Sequence, residues 1–156
     1  MITTLLFDFS RVLLFPKDKS YRGELNPLHA ELSKNPNYKF LDYFELNAEL
    51  LRFLKGIKDR SKLYIFTSGT IQDAPEIQPT LRDIFVRVYS AERIGFSKKD
   101  PDSYSFIAND LGINAGEILF IDDTAANIKA ARAAGLETLL FVSTQETVDG
   151  IKEIMH

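Results

Sequence analysis

The chain has 156 residues, 45% hydrophobic and 26% charged, which is enough apolar material for one core without covalent staples. It contains no cysteine, which excludes a disulfide framework, a thiolate metal site and a cysteine nucleophile. A formal net charge of -3 with no long run of one sign argues against a broad basic surface for nucleic acid or membrane, and no apolar run is long enough for a membrane span.

Taken in order, residues 3–14 come first. Apolar residues run almost unbroken into one acid, Asp8, and out again. Such a run predicts a strand buried on both faces of a parallel sheet. A carboxylate inside it is costly unless paired, and ligands of open α/β sheets bind at the strands' carboxyl ends. The same stretch lacks the basic start of a signal peptide, so the expected location is cytoplasmic. Residues 15–42 hold Pro16, Pro27 and Pro36 and read as an insert, mostly loop. A short helix is predicted over 26–34, with Asn26 as N-cap and Pro27 at the first helical position. The insert is expected to bury little apolar surface and to affect substrate choice more than stability. Tyr21, Tyr38, Phe40, Tyr43 and Phe44 could wall a pocket, although core packing is the stronger expectation. His29 and His156 carry no motif and read as surface residues.

Asn47 predicts an N-cap for a helix over 48–58, with Leu50, Leu51, Leu54 and Ile57 as its apolar stripe. Residues 63–66 are a second strand, ending at Thr67, Ser68 and Gly69. Short helices follow to residue 85, then a weaker strand at 86–89 and a basic loop at 93–100. Asp100 and Pro101 open a helix closed by Gly112. Residues 118–121 are a fourth strand, ending at Asp122 and Asp123. Thr124 can cap an Ala-rich helix over 125–134, closed by Gly135. A fifth strand at 138–142 and a helix at 144–155, with Val148, Ile151, Ile154 and Met155 inward, complete the chain. The expected fold is α/β: a three-layer αβα, Rossmann-like parallel sheet of about five strands with right-handed crossovers. Residues 1–156 are expected to form a single core domain, with 15–42 as a short cap-like insert.

Asp8, Thr67, Lys98 or Lys99, and the pair Asp122 and Asp123 then fall on one edge of that sheet. Three carboxylates with no His or Cys nearby suit a hard cation, and Mg2+ is the expected ion. A hydroxyl, a lysine and a helix N-terminus beside such a metal suit a phosphate group.

Four segments carry a family resemblance. They are Phe7-Asp8-Phe9-Ser10-Arg11-Val12, Ile65-Phe66-Thr67-Ser68-Gly69, Gly95-Phe96-Ser97-Lys98-Lys99-Asp100-Pro101, and Phe120-Ile121-Asp122-Asp123-Thr124-Ala125-Ala126-Asn127. In this order and on these elements they resemble the motifs of the haloacid dehalogenase-like (HAD) hydrolases, phosphatase type. Any one is weak; the ordered set is strong. The resemblance implies Asp8 as a nucleophile forming an aspartyl-phosphate. It implies Thr67, with Ser68, holding phosphoryl oxygens, and Lys98 neutralising nucleophile and phosphate. Mg2+ would be bound by Asp8, the backbone carbonyl of Ser10 and Asp123, with Asp122 a direct or supporting partner. Asn127 would support the loop.

Two departures from the family pattern matter for the chemistry. The first motif reads Asp-x-Asp-Gly in the family, and its second Asp, the general acid/base, is Ser10 here. The usual third-motif proline is Lys99. The implied function is therefore a Mg2+-dependent phosphohydrolase of small phosphoesters, slowed at Ser10 and left open by a rudimentary cap. The rival is a HAD-like protein that binds phosphate or a partner and has lost turnover. A receiver domain would carry its acids in the reverse order, and a dehalogenase would need no acid pair.

Overall fold

The computed structural model describes residues 1–155; His156 lies outside them. The chain runs β1 (Thr4–Phe7), β2 (Leu14–Pro16), α1 (Leu25–Leu32), α2 (Phe40–Tyr43), β3 (Phe44–Leu46), α3 (Ala48–Ile57), β4 (Lys62–Thr67), α4 (Gln78–Ile84) and β5 (Arg87–Ser90). It continues through α5 (Ala91–Ile94), α6 (Pro101–Leu111), β6 (Ile118–Asp122), α7 (Ala125–Ala133), β7 (Glu137–Leu140) and α8 (Thr144–Ile154). Five of the strands form a parallel sheet in the order β5-β4-β1-β6-β7. The strand that opens the chain is thus the central one.

Alternation along the strands builds two cores. Leu5 and Phe7 face one side with Leu63, Ile65, Leu119 and Ile121, covered by α3, α4 and α8. Leu6 faces the other side with Phe66, Ile118 and Phe120, covered by α6 and α7. Helix α3 shows how sequence becomes packing. The Asn47 side chain accepts a hydrogen bond from the Leu50 backbone N–H and starts the helix, and Leu50, Leu51, Leu54 and Ile57 are its buried stripe. Ten residues are marginal as an isolated helix. Each buried leucine contributes roughly 1.5–3 kcal/mol as an upper bound, so docking holds α3 in place. The predicted caps at Asp100 and Gly112 also form: Asp100 accepts from Asp102 N–H, and Gly112 takes φ 68°.

The insert differs from expectation. Strands β2 and β3 pair antiparallel, Leu14 opposite Leu46 and Pro16 opposite Phe44, and close its base. Pro16 sits in a two-stranded ribbon, where an edge position tolerates a missing N–H. Leu25, Phe40 and Phe44 are buried in the main core, with Tyr21, Leu28, Leu32 and Tyr38 packed on it. The insert is therefore an apolar contributor to stability. His29 is half-buried, bonded to the Tyr38 hydroxyl and lying against the Phe40 and Phe44 rings. Helix α1 begins at Leu25, and Asn26 is not its cap. Thr124 makes no side-chain cap for α7, and Ile154 is exposed on the last turn of α8.

Candidate active site

In the strand order β1 is flanked by β4 and β6, and the chain passes to opposite sides of it through these two neighbours. The crevice at their carboxyl ends is where open α/β sheets take ligands. Asp8 follows β1 directly; its N–H donates to Ile121 O at 2.9 Å, which sets it level with the end of β6. Thr67 ends β4 and Asp122 ends β6. Lys98 arrives from the loop between α5 and α6. Gly95, at φ 79°, turns the chain out of α5, and the Tyr104 hydroxyl donates to Lys98 O at 2.6 Å, tying that loop to α6.

The Lys98 ammonium donates to Asp8 Oδ1 at 2.6 Å and lies 2.9 Å from Asp122 Oδ2. All three residues are buried. The Phe66 and Phe120 rings lie 5.4 and 5.7 Å from Lys98 Nζ, so the cation is enclosed by π faces as well as by acids. Asp8 Oδ1 also accepts from Phe9 N–H at 2.8 Å; its Oδ2 has no hydrogen bond among the described residues. Burial pushes the Asp8 carboxyl up to about 7; Lys98 opposes that rise and Asp122 adds to it. Burial alone would lower the Lys98 ammonium, but Asp8 and Asp122 outweigh it and hold it above its ordinary range.

The two adjacent acids of the fourth motif divide their tasks. Asp122 is fully buried: Oδ1 accepts from Thr124 N–H at 2.8 Å, and Oδ2 accepts from Asn127 Nδ2 at 3.0 Å besides facing Lys98. Asp123 is exposed at the cavity. Desolvation against the site and the Asp122 charge hold its carboxyl above the usual range. One oxygen from each of Asp8, Asp122 and Asp123 falls within 4.8 Å of the others. This all-oxygen set fits a hard divalent cation. Asp122's existing hydrogen bonds make it a holder of Lys98, and leave Asp8 and Asp123 as the carboxylates that line the cavity. Two hydroxyls beside the set, Ser10 Oγ and Thr67 Oγ1, are buried without a hydrogen-bond partner among the described residues. Buried hydroxyls without partners are costly, which is consistent with a ligand of oxygen acceptors here.

A cavity of about 240 Å³ opens over these groups. Asp8, Ser10, Ser68, Lys98, Asp123 and Asn127 line one part of it, and residues 22–26 of the insert line another. Thr67 lies beneath, outside the lining. Lys99 is exposed and takes no part. None of the insert aromatics reaches the cavity.

Three residues here were not read as site residues from sequence. Asn26 Oδ1 accepts from the N–H groups of Thr70 and Ile71 and pins α1 to the loop after β4. It lies so close over Gly69 that an added Cβ would stand 2.6 Å from Oδ1. Arg11 has φ 64°, a left-handed conformation costing roughly 1–2 kcal/mol for a residue with a Cβ. The signal for it was present, since the family motif has glycine at that position. Arg22 lines the same cavity.

Comparison with known proteins agrees with this geometry. The family model of the haloacid dehalogenase-like hydrolases matches residues 24–135. Over 116 residues the chain is 33% identical to an enolase-phosphatase E1 of Methylococcus capsulatus, covering 67% of this chain and 48% of that protein. Over 96 residues it is 32% identical to a phosphatase of Mycobacterium tuberculosis, MT3486, covering 62% of this chain and 42% of that protein. The chain thus spans less than half the length of these curated relatives. Among solved structures, one described as a predicted HAD-like family hydrolase of Porphyromonas gingivalis superposes with a TM-score of 0.72 at 19% identity, covering 100% of this chain and 98% of that one. A HAD family enzyme of Bacteroides thetaiotaomicron, crystallised with magnesium and inorganic phosphate, gives 0.67 at 17% identity, covering 90% and 94%. With the family model matched across most of its length and the fold shared, this chain belongs to the haloacid dehalogenase-like hydrolases.

Proposed function

We propose that this protein is a Mg2+-dependent phosphohydrolase of small phosphoesters that works through an aspartyl-phosphate on Asp8. The observation that carries the reading is Lys98 held between Asp8 and Asp122 beneath an open cavity. A buried, strongly perturbed carboxylate in a cleft marks a functional group more often than a structural one. The phosphatase names of its relatives and the magnesium and phosphate in the Bacteroides structure point the same way.

In this reading Asp8, Asp123 and the backbone carbonyl of Ser10 hold the cation. Bound there, Mg2+ would offset the negative charge of the acids and of the phosphoryl group. Asp8 attacks phosphorus through a carboxylate oxygen, and the bond from phosphorus to the ester oxygen breaks, that oxygen leaving as the alcohol with a proton taken from water. Lys98 balances the charge passing from Asp8 to the phosphoryl oxygens. Thr67 and Ser68 receive those oxygens with their hydroxyls. Water then cleaves the acyl phosphate, restoring Asp8 and releasing phosphate. The insert at 15–42 acts as an abbreviated cap through residues 22–26.

Ser10 favours a second reading, a phosphate-binding member with turnover lost, because a hydroxyl is a poor acid/base near neutral pH. A panel of phosphoesters assayed with Mg2+ and with chelator separates the two. Release of phosphate that needs Mg2+ and disappears in Asp8→Asn supports the enzyme. Phosphate binding without release supports the second reading.

A further inference from the structure

Two cations of the cavity wall have no part in the phosphoryl chemistry described above. Lys98 is committed to Asp8 and Asp122. Two arginines, Arg11 and Arg22, line the same space. Arg11 is the one non-glycine among the described residues with positive φ, at a position where the family motif has glycine. The turn holds this backbone, with the Arg11 N–H donating to Leu14 O at 2.7 Å, and outliers of this kind cluster at functional sites.

The Arg11 side chain is fixed. Its Nη2 donates to Tyr21 O at 3.1 Å and to Gly23 O at 2.7 Å. Its Nε and Nη1 N–H groups have no partner among the described residues. Arg22 forms no ion pair or hydrogen bond there, and neither arginine pairs with Glu24, the remaining acid of this wall. A planar guanidinium held in place with free N–H groups matches a carboxylate or phosphate in a two-point contact.

We infer that Arg11 and Arg22 form a second anion subsite, and that the preferred substrate is a small phosphomonoester bearing a second oxyanion, a carboxylate or another phosphate. This substrate class rests on the phosphohydrolase reading above; the anion subsite itself does not. In that reading the transferred phosphoryl group is met by Lys98, Ser68 and the cation, and needs neither arginine. A cavity of about 240 Å³ lies below the usual range for drug-sized ligands and suits a small substrate.

The test compares glycerol 3-phosphate, 3-phosphoglycerate and glycerol 1,3-bisphosphate, by turnover and by calorimetric binding, with Mg2+ present. The first lacks a second oxyanion; the other two supply a carboxylate and a phosphate. One charge-assisted contact should favour one of those two by about tenfold to a hundredfold. Which of them gains identifies the anion. Arg11→Gly suits the left-handed backbone and should fold; Arg22→Ala removes an exposed side chain without a partner. Each should shrink the advantage, and Arg22→Ala should leave glycerol 3-phosphate nearly unchanged. Equal treatment of all three compounds by wild-type protein, or an equal loss for all three in both variants, overturns the subsite. If nothing is hydrolysed but the binding preference holds and falls in Arg11→Gly, the subsite stands and the phosphohydrolase reading fails.

Discussion

Lys98 Nζ meets Asp8 Oδ1 at 2.6 Å across ninety positions of sequence, and the same ammonium lies 2.9 Å from Asp122 Oδ2. One buried cation thus serves two buried acids. Removing it leaves both acids uncompensated, and breaking a buried pair from one side costs roughly 3–5 kcal/mol. Lys98→Met should lose stability on that scale in urea denaturation at pH 8, and part of the loss should return on adding Mg2+. A variant within about 1 kcal/mol of wild type would show that the charges are relieved another way.

The raised Asp8 carboxyl gives a pH dependence with a definite sign. The folded protein keeps the Asp8 proton to about pH 7, whereas the unfolded chain releases it near the ordinary carboxylate value of 3.8. Stability from this group is therefore present at low pH and is lost as pH rises from about 4 to 7. Without metal, Asp8→Asn should melt higher than wild type at pH 8, and the gap should narrow by pH 5 and close near pH 4. A wild-type protein that melts higher at pH 8 would reverse the expected sign.

Metal linkage distinguishes the two acids of the fourth motif. Mg2+ at millimolar concentration should raise the melting temperature, because only the folded state gathers the ligands. Asp123→Asn should remove most of that shift with little effect on the metal-free protein, since Asp123 is exposed. Asp122→Asn should lower stability even without metal, because Asp122 organises Thr124, Asn127 and Lys98. If both variants behave alike, that division of tasks is wrong.

The insert is tied into the core, which sets the order of effects there. Phe40→Ala should cost roughly 3–5 kcal/mol, the range for a fully buried phenylalanine. Tyr38→Ala should lower the melting temperature while leaving the substrate profile almost unchanged, since Tyr38 packs on His29 and Tyr43 away from the cavity. A changed substrate profile at unchanged melting temperature would move Tyr38 to the site.

Ser10 should divide the two chemical steps. A general acid/base is worth roughly 10²–10⁴ in rate. Nitrophenyl phosphate has a leaving group that needs little protonation, so Asp8 should still attack it. Hydrolysis of the acyl phosphate still needs an activated water. A rapid-mixing assay should therefore show a burst of nitrophenolate followed by slow turnover, and Ser10→Asp should speed the slow phase. Efficient cleavage of alkyl phosphates with no burst would mean that another carboxylate does this work. Glu24, which lines the cavity, would be the first to replace, because Asp122 is sealed by its own hydrogen bonds.

The sequence alone was sufficient for the sheet strands and the caps at Asn47 and Asp100, and it proposed Asp8, Thr67, Lys98 or Lys99, Asp122 and Asp123 as one edge of the sheet. These depend on apolar runs, cap chemistry and motif spacing, all carried by residues near one another in the chain. Tertiary structure decided what depends on distant partners. It buried Lys98 and left Lys99 in solvent, because only Lys98 reaches two carboxylates on the central strands. It also sealed Asp122 and exposed Asp123, though they are neighbours in sequence, because adjacent residues at a strand end point opposite ways. Proline and polar content made the insert read as loop, yet the ribbon of β2 with β3 and the burial of Leu25 and Phe40 come from pairing across some thirty residues. Arg11 was visible only as a departure from a glycine; that its side chain lines the cavity, anchored on two insert carbonyls, depends on where the fold places the insert.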